Sequence, residues 1–348
     1  MENLHITASD TLFFGTGRPF TMGEDSWSKG LFPPSPETLY GFLRGCYFVE
    51  NMTEIGKANT FSDPTNDLKI NYFGLMLKDG DKEAVKLFPL PNDIVKNHTN
   101  DKLELLSLCK SDSGIISNHP INNDWKLITP DLHKTVKPAG QNYISEMEFK
   151  AYLKHKRDGF NLENIEDIIG VEPKIGIFMD RSDANNKKLY RAQLSRLEKK
   201  RKQISLWVVY EGLTLSENII NRLGGEGKLV FANKIDVPTV SENSFKAKKD
   251  DIVRIYLATP ALFENGWKLE LDGVELLTAA MGRPQWIGGF DSQKKRPKPM
   301  QKAVPAGSVY YVKVLKDEIV FPSHIGIPDD KKKGYGRVYC NKINYKPV

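Results

Sequence analysis

A strand–helix–strand–strand order of hydrophobic periodicity stands near the start of the chain and again after residue 170, and such a repeat leaves few folds open. The first copy opens with NLHITASDTLFF, where Leu4, Ile6 and Ala8 alternate with Asn3, His5, Thr7 and Ser9, the period of a strand with one wet face. After a loop rich in Gly and Pro, SPETLYGFLRGCYF carries helix signals: Ser35 as N-cap, Pro36 at the first helical position and Glu37 beside the positive helix end. Leu39, Phe42, Leu43, Cys46 and Tyr47 form its apolar stripe. LKINYFGLMLKDG at 68–80 and AVKLFPLPND at 84–93 then flank KDGDKE as a hairpin.

The stretch from about 95 to 170 is polar, holds a helix at EMEFKAYLKHK, and reads as an insertion. Beyond it KIGIFMD, LYRAQLSRL and ISLWVVYEG read as strands. LSENIINRLGG reads as a helix with Leu215, Ile219, Ile220 and Leu223 on one side and Gly224 as its stop. KLVFANKI, DIVRIYLA and SVYYVKVL are further strands. The economical fold is α+β, two packed ferredoxin-like units: an N-terminal one at 1–165 that carries the insertion, and a C-terminal one at 166–348. Sheets of this type expose a face to RNA. The 348 residues, 40% hydrophobic, supply two cores without staples.

Cys46, Cys109 and Cys340 lie far apart with no CxxC pair, which argues against a disulfide framework and against structural zinc. The opening MENLHITASD has no signal-peptide pattern, and no apolar run is long enough for a bilayer, so a soluble cytoplasmic protein without membrane contact is expected. The net charge of +6 is modest, but its distribution is uneven. KKRK at 199–202, KAKK at 246–249 and KKK at 331–333 each read first as solvated loops. KKRPKPMQK at 294–302 differs, because it contains no acid and Pro297 and Pro299 hold its charges extended.

RLGGEGKL at 222–229 is a glycine loop of a different kind. A helix C-cap with a tight turn accounts for Gly224 and Gly225 but leaves Gly227 and Lys228 unexplained. A P-loop is excluded, since Leu229 stands where the hydroxyl residue belongs and the expected helix comes before the loop. What remains is a loop whose bare amides approach a phosphate backbone, with Lys228 adding charge. GRPQWIGGFD at 282–291 and KKKGYGR at 331–337 again place glycines beside an aromatic and a cation. Trp286 and Tyr335 are therefore candidates to stack on bases, although Trp286, between Pro284 and Ile287, reads rather as a core anchor.

His5, His98, His119, His133, His155 and His324 are scattered without metal-ligand spacing, and neither GxSxG nor a cysteine nucleophile context appears. No metal, cofactor or catalytic set is assigned. His5 and His133 are the two candidates for a general base in metal-independent RNA cleavage.

FGTGRPF at 14–20, PSPETLYGFLRG at 34–45, the stretch from Glu172 to Gln193, RLGGEGK, TPALFENGW at 259–267, GRPQWIGGFD, KPMQKAVPAGSVYY at 298–311 and GYGRVYC at 334–340 stand in this order along nearly the whole chain. Together they resemble the RAMP subunit of type III-B CRISPR (Cmr) effector complexes that caps the guide 5′ tag. The resemblance implies paired ferredoxin-like, RRM-like domains that grip the repeat-derived 5′ tag of CRISPR RNA. It also implies docking to the large polymerase-type subunit and the first backbone RAMP subunit, with no RNA cleavage of its own.

Carried over by motif, Gly224, Gly225, Gly227 and Lys228, Gly288 and Gly289, and Gly334, Gly336 and Arg337 are the expected backbone contacts to RNA. Arg18, Lys137, Arg191 and the cations Lys294, Lys295, Arg296 and Lys298 are expected on phosphates. Arg44, off the helix's apolar stripe, has two readings, RNA contact or partner of an acid. The alternative function is a RAMP endoribonuclease that processes precursor CRISPR RNA, which needs a His or Tyr–Lys–His constellation that the sequence does not display. A protein-binding scaffold is the third reading.

Overall fold

The computed structural model describes residues 1–15, 27–28, 30–110, 125–129, 135–140, 142–179, 187–236, 244–291 and 296–343. In chain order its first part contains β1 (Glu2–Ala8), α1 (Pro36–Glu50), β2 (Lys69–Asp79), β3 (Val85–Pro89), β4 (Tyr143–Ser145), α2 (Glu146–Leu153), β5 (Gly170–Met179), β6 (Lys187–Arg196), β7 (Lys202–Glu211), β8 (Asn218–Arg222) and β9 (Leu229–Lys234). The second part contains β10 (Ile252–Leu257), β11 (Val274–Ala280), β12 (Val309–Val314) and β13 (Val338–Ile343). The content is α+β and mainly β. No helix among the described residues is long and apolar enough to cross a membrane.

The alternation in β1 works as its sequence requires, with Leu4 and Ile6 buried under α1. On α1 the predicted cap is formed, Thr38 N–H donating to Ser35 Oγ at 3.4 Å. Leu39, Phe42, Leu43 and Cys46 enter one core with Ile70, Leu75, Leu206, Val208 and Val230, while Tyr47 packs at its margin. Each such buried aliphatic or phenyl side chain contributes about 1.5–3 kcal/mol. Arg44 settles on the acid: it binds Asp63 at 2.6 Å and Thr65 at 2.8 Å.

The first sheet runs β4–β3–β2–β7–β1–β9–β8, every neighbour antiparallel. The second runs β11–β12–β10–β13, also antiparallel. The stretch β2–β7–β1–β9 within the first sheet thus has the order second, third, first, fourth in chain sequence, and the whole second sheet repeats it. A cut at 165/166 would separate β1 from both of its neighbours, β7 and β9.

The segment LSENIINRLGG is a strand and not the expected helix. Its apolar residues fit a helical stripe, but Ile219 is buried and Ile220 is 62% exposed, which is a two-residue period. Adjacent β-branched residues flanked by asparagines favour the pleated state, and pairing with β9 decides the matter. Among its described residues the second part likewise has no long helix of the kind a full repeat of the pattern calls for; the one described there is Pro328–Lys331.

The two sheets meet through a second core, in which Tyr72, Met76, Phe88, Trp207 and Val209 face Ile252, Tyr256, Val309 and Tyr311, and α2 inserts Phe149 and Tyr152. Phe88 and Phe149 stack at 4.2 Å. Asp93 is fully buried in this seam. It accepts from Tyr152 at 2.9 Å and from Tyr311 at 2.7 Å. Arg254 lies 3.7 Å away, donates to the Tyr152 carbonyl at 2.7 Å and to Asn341 Oδ1 at 3.1 Å, and stacks on the Tyr152 ring. Burial pushes the Asp93 carboxyl up, against the pull of Arg254 and the two tyrosine hydroxyls.

Candidate nucleic-acid interface

Residues 223–228 close the hairpin between β8 and β9, Leu223 N–H donating to the Lys228 carbonyl at 3.0 Å. The loop turns through positive φ at Gly224, Glu226 and Gly227. Its glycines have different reasons to be there. Gly225 N–H donates to the Phe13 carbonyl at 2.8 Å, and a Cβ on Gly224 would lie 2.3 Å from that oxygen, so this pair lets two backbones touch. A Cβ on Gly227 would meet nothing within 4 Å. The tip is therefore open, with its φ of +65° as the local reason for glycine.

An ion-pair cluster surrounds this tip. Lys228 binds Asp10 at 3.2 Å, Arg196 binds Asp10 at 3.0 Å and grips Glu172 with two nitrogens, and Lys174 binds Glu226 at 2.5 Å. Lys228 and Arg196 hold the Asp10 carboxyl below its ordinary range. The β5–β6 hairpin is thereby tied to the glycine loop and presents the exposed Arg191 opposite the exposed Ile175. Sequence reasoning found Lys228 and Arg191 but not the acid paired with Lys228, which comes from residue 10, nor the Arg196–Glu172 pair beside it.

The GRPQWIGG region forms a narrow antiparallel ribbon: Gln285–Ile287 pairs with Gln301–Ala303, and Phe290–Asp291 with Arg296–Pro297. Arg296 and Lys298 are exposed. Lys298 N–H donates to the Gly289 carbonyl, and its ammonium reaches Glu37 at the start of α1 at 3.3 Å. Lys333 binds the same carboxylate at 2.9 Å. Burial works to raise the Glu37 carboxyl, yet these two lysines hold it below the usual range. Gly288 and Gly289 are partly buried beside this contact. Lys137 is exposed on the insertion, 4.0 Å from Asp101. Arg18, Lys294, Lys295 and His133 lie outside the described residues.

GYGR does not join these groups at the surface. Gly334, Tyr335, Gly336 and Arg337 are all buried. A Cβ on Gly334 would press on Ile70 of β2 at 2.7 Å, and one on Gly336 would lie 1.8 Å from the Ile325 carbonyl oxygen. Ile70 N–H donates to the Lys332 carbonyl and His324 Nε2 pairs with the Asn71 carbonyl at 3.0 Å, so this loop seals the second sheet against the first. The two aromatics also exchange places relative to expectation: Tyr335 is 2% exposed and Trp286 is 41% exposed.

Burial and the neighbouring Arg337 push the His324 imidazole down to about 4 from an ordinary 6.5. A neutral histidine in the fold and a protonated one in the unfolded chain give stability that is complete above about pH 6.5 and is lost as pH falls toward 4, by at most about 3 kcal/mol. His324→Gln should flatten the fall in melting temperature over that window; an unchanged profile would remove His324 from the acid response. His5 pairs through Nε2 with Ser205 Oγ at 2.7 Å, and burial and Lys78 lower its pKa. Among the described residues no group of three His, Cys, Asp or Glu is placed to hold a metal ion.

A chain in a cryo-EM structure of the type III-B Cmr-beta complex bound to cognate target RNA matches with 18% identity and TM-score 0.50, over 89% of this chain and 86% of that one. One in the complex bound to cognate target RNA and AMPPnP matches with 17% identity and TM-score 0.48 over the same shares. A CRISPR protein from Archaeoglobus fulgidus matches over 98% of this chain and 99% of its own, at 11% identity and TM-score 0.28. No curated protein matches significantly. The family model described as CRISPR-associated protein (Cas_Cmr3) matches residues 4–342, from β1 into β13, and this chain belongs to that family.

Proposed function

We propose that this chain is a non-catalytic subunit of a cytoplasmic type III-B effector complex, gripping the repeat-derived 5′ tag of CRISPR RNA while docking to the large polymerase-type subunit and a backbone RAMP subunit. The observation that carries the reading is a contrast between two equivalent loops. Each sheet's fourth strand, β9 or β13, is entered through a glycine turn. The second turn is sealed against β2, whereas the first keeps Gly227 open beside Lys228. Bare amides at an open turn next to a cation suit a phosphate backbone. Exposed Arg191, on the hairpin tied to that loop, and the exposed Arg296 and Lys298 of the basic ribbon are further cations for this role, with Lys137, Lys294, Lys295 and Arg18 as additional proposed phosphate contacts and Gly288 and Gly289 as proposed points of close approach. Gly334, Gly336 and Arg337 are left out of this set because they are buried.

We read the architecture as two ferredoxin-like units that share the strand order second, third, first, fourth. The division falls between β9 and Phe245, and the first unit takes in the insertion. In the first unit α1 makes one of the two crossovers and the β8 hairpin replaces the other.

Filter binding tests the function. The wild-type protein should bind tagged guide RNA more tightly than guide RNA with a scrambled 5′ tag. Gly227→Val should weaken binding of both RNAs, through the lost backbone contact, while lowering stability by only about 1–2 kcal/mol from the positive φ. Equal affinity of the wild type for the two RNAs would sink the tag reading. Global unfolding of Gly227→Val, with normal binding by its folded fraction, would return Gly227 to a turn role. Site-specific cleavage of labelled repeat RNA that disappears in His5→Ala would replace the reading with the processing endonuclease.

A further inference from the structure

Trp286 is held where folding alone gives no reason to hold a tryptophan. The pairing of Gln285–Ile287 with Gln301–Ala303 sets it directly opposite Lys302. Strand alternation then sends Ile287 and Ala303 inward, to a small core with Leu262 and Tyr335, and Trp286 and Lys302 outward. The ribbon is thus anchored on one face and displays an indole on the other. Lys302 Nζ lies 5.0 Å from the ring centroid. Arg283 and Arg296 are exposed on the same ribbon, and from 282 to 303 the sequence contains one acid, Asp291.

We propose that Trp286 and Lys302 form a stacking site for one base of single-stranded RNA. This rests on the RNA-binding reading and adds to it a contact that is independent of the glycine loop. An exposed indole gives any base a flat apolar partner, and a cation at its edge is placed for the adjoining phosphate. The pair suits a protein surface less well, since lysine is depleted from the buried centre of protein interfaces. On binding, the base lies over the indole and Lys302 turns from the ring to the phosphate, with no covalent step.

The experiment uses the full chain and two probes, single-stranded oligoadenylate RNA and the same oligomer with abasic riboses. Fluorescence anisotropy gives affinities for the wild type, Trp286→Ala, Trp286→Phe and Lys302→Gln. Loss of one stacked base should weaken oligoadenylate binding about 5- to 150-fold in Trp286→Ala. Trp286→Phe should recover most of it, and the abasic oligomer should bind Trp286→Ala and the wild type alike. Lys302→Gln should reduce the salt slope by about 0.7 on either probe.

Equal oligoadenylate affinity of Trp286→Ala and the wild type overturns the proposal, as does an equal loss on the abasic probe. Intact RNA affinity with failed assembly into the effector complex would make Trp286 a protein contact and also overturn it. Melting curves of the phenylalanine variant separate loss of stacking from loss of fold. The tag preference is a separate readout: if it is absent while the Trp286 effect persists, the tag reading fails and the stacking site stands.

Discussion

Replacing Asp93 with alanine is expected to destabilise the protein by about 3–5 kcal/mol, the cost of breaking one side of a buried ion pair. The substitution leaves Arg254, itself almost fully buried, without its carboxylate, and removes the acceptor for the Tyr152 and Tyr311 hydroxyls. Stranded buried donors cost about 1–3 kcal/mol each before relaxation, so the estimate allows for some of them finding other partners. The pair itself contributes less than this figure, because desolvation offsets most of its attraction. Asp93→Leu combined with Arg254→Met should therefore recover the part of the loss due to the stranded guanidinium, while the cost of the two unpaired tyrosine hydroxyls remains. Urea unfolding followed by tryptophan fluorescence measures both variants, Trp207 lying in the same seam. A cost below about 1 kcal/mol for Asp93→Ala would mean that the seam admits water and that the pair is solvated.

That network joins the segment after β3 to α2, β10 and β12, and none of it was legible in the sequence. Asp93 closes an ordinary PLPND turn signal, and Arg254 sits in a strand whose every other residue is apolar. Only the meeting of two sheets makes them partners. The local elements were legible where one physical signal dominated. β1 follows from strict alternation, α1 from its cap and stripe, and the β2–β3 hairpin from its turn. The β8 segment was misread because four apolar residues satisfy two periods at once, and the choice was made by β9.

The strand order was also out of reach. β7 lies between β1 and β2 although residues 80–201 separate it from β2 in sequence, and nothing local encodes that insertion. Trp286 was misjudged for a related reason. Flanking Pro284 and Ile287 suggest a core, but in a two-stranded ribbon the neighbour of a buried isoleucine points outward.

The glycine motifs show the same limit, and Gly336→Ala exposes it most sharply. GEG at 225–227 and GYG at 334–336 look alike as sequence, and Gly227 and Gly336 share positive φ, +65° and +71°. What separates them is what stands nearby. Alanine at 336 would place a Cβ 1.8 Å from the Ile325 carbonyl oxygen, in a turn fixed on both sides: Gly336 N–H donates to the Pro260 carbonyl at 2.7 Å and its own carbonyl accepts from Ile325 N–H at 2.9 Å. Left-handed backbone costs about 1–2 kcal/mol and the forced displacement about 1–3 more, so a total loss of about 2–5 kcal/mol is expected. Gly227→Ala carries only the first of these. Thermal melts should show a large fall for Gly336→Ala and a small one for Gly227→Ala, while guide-RNA affinity per folded molecule changes in the opposite order. Near-equal melting temperatures would show that the 334–336 turn yields without cost and that its burial is not a seal; a loss of RNA affinity by folded Gly336→Ala would restore this loop to the RNA surface.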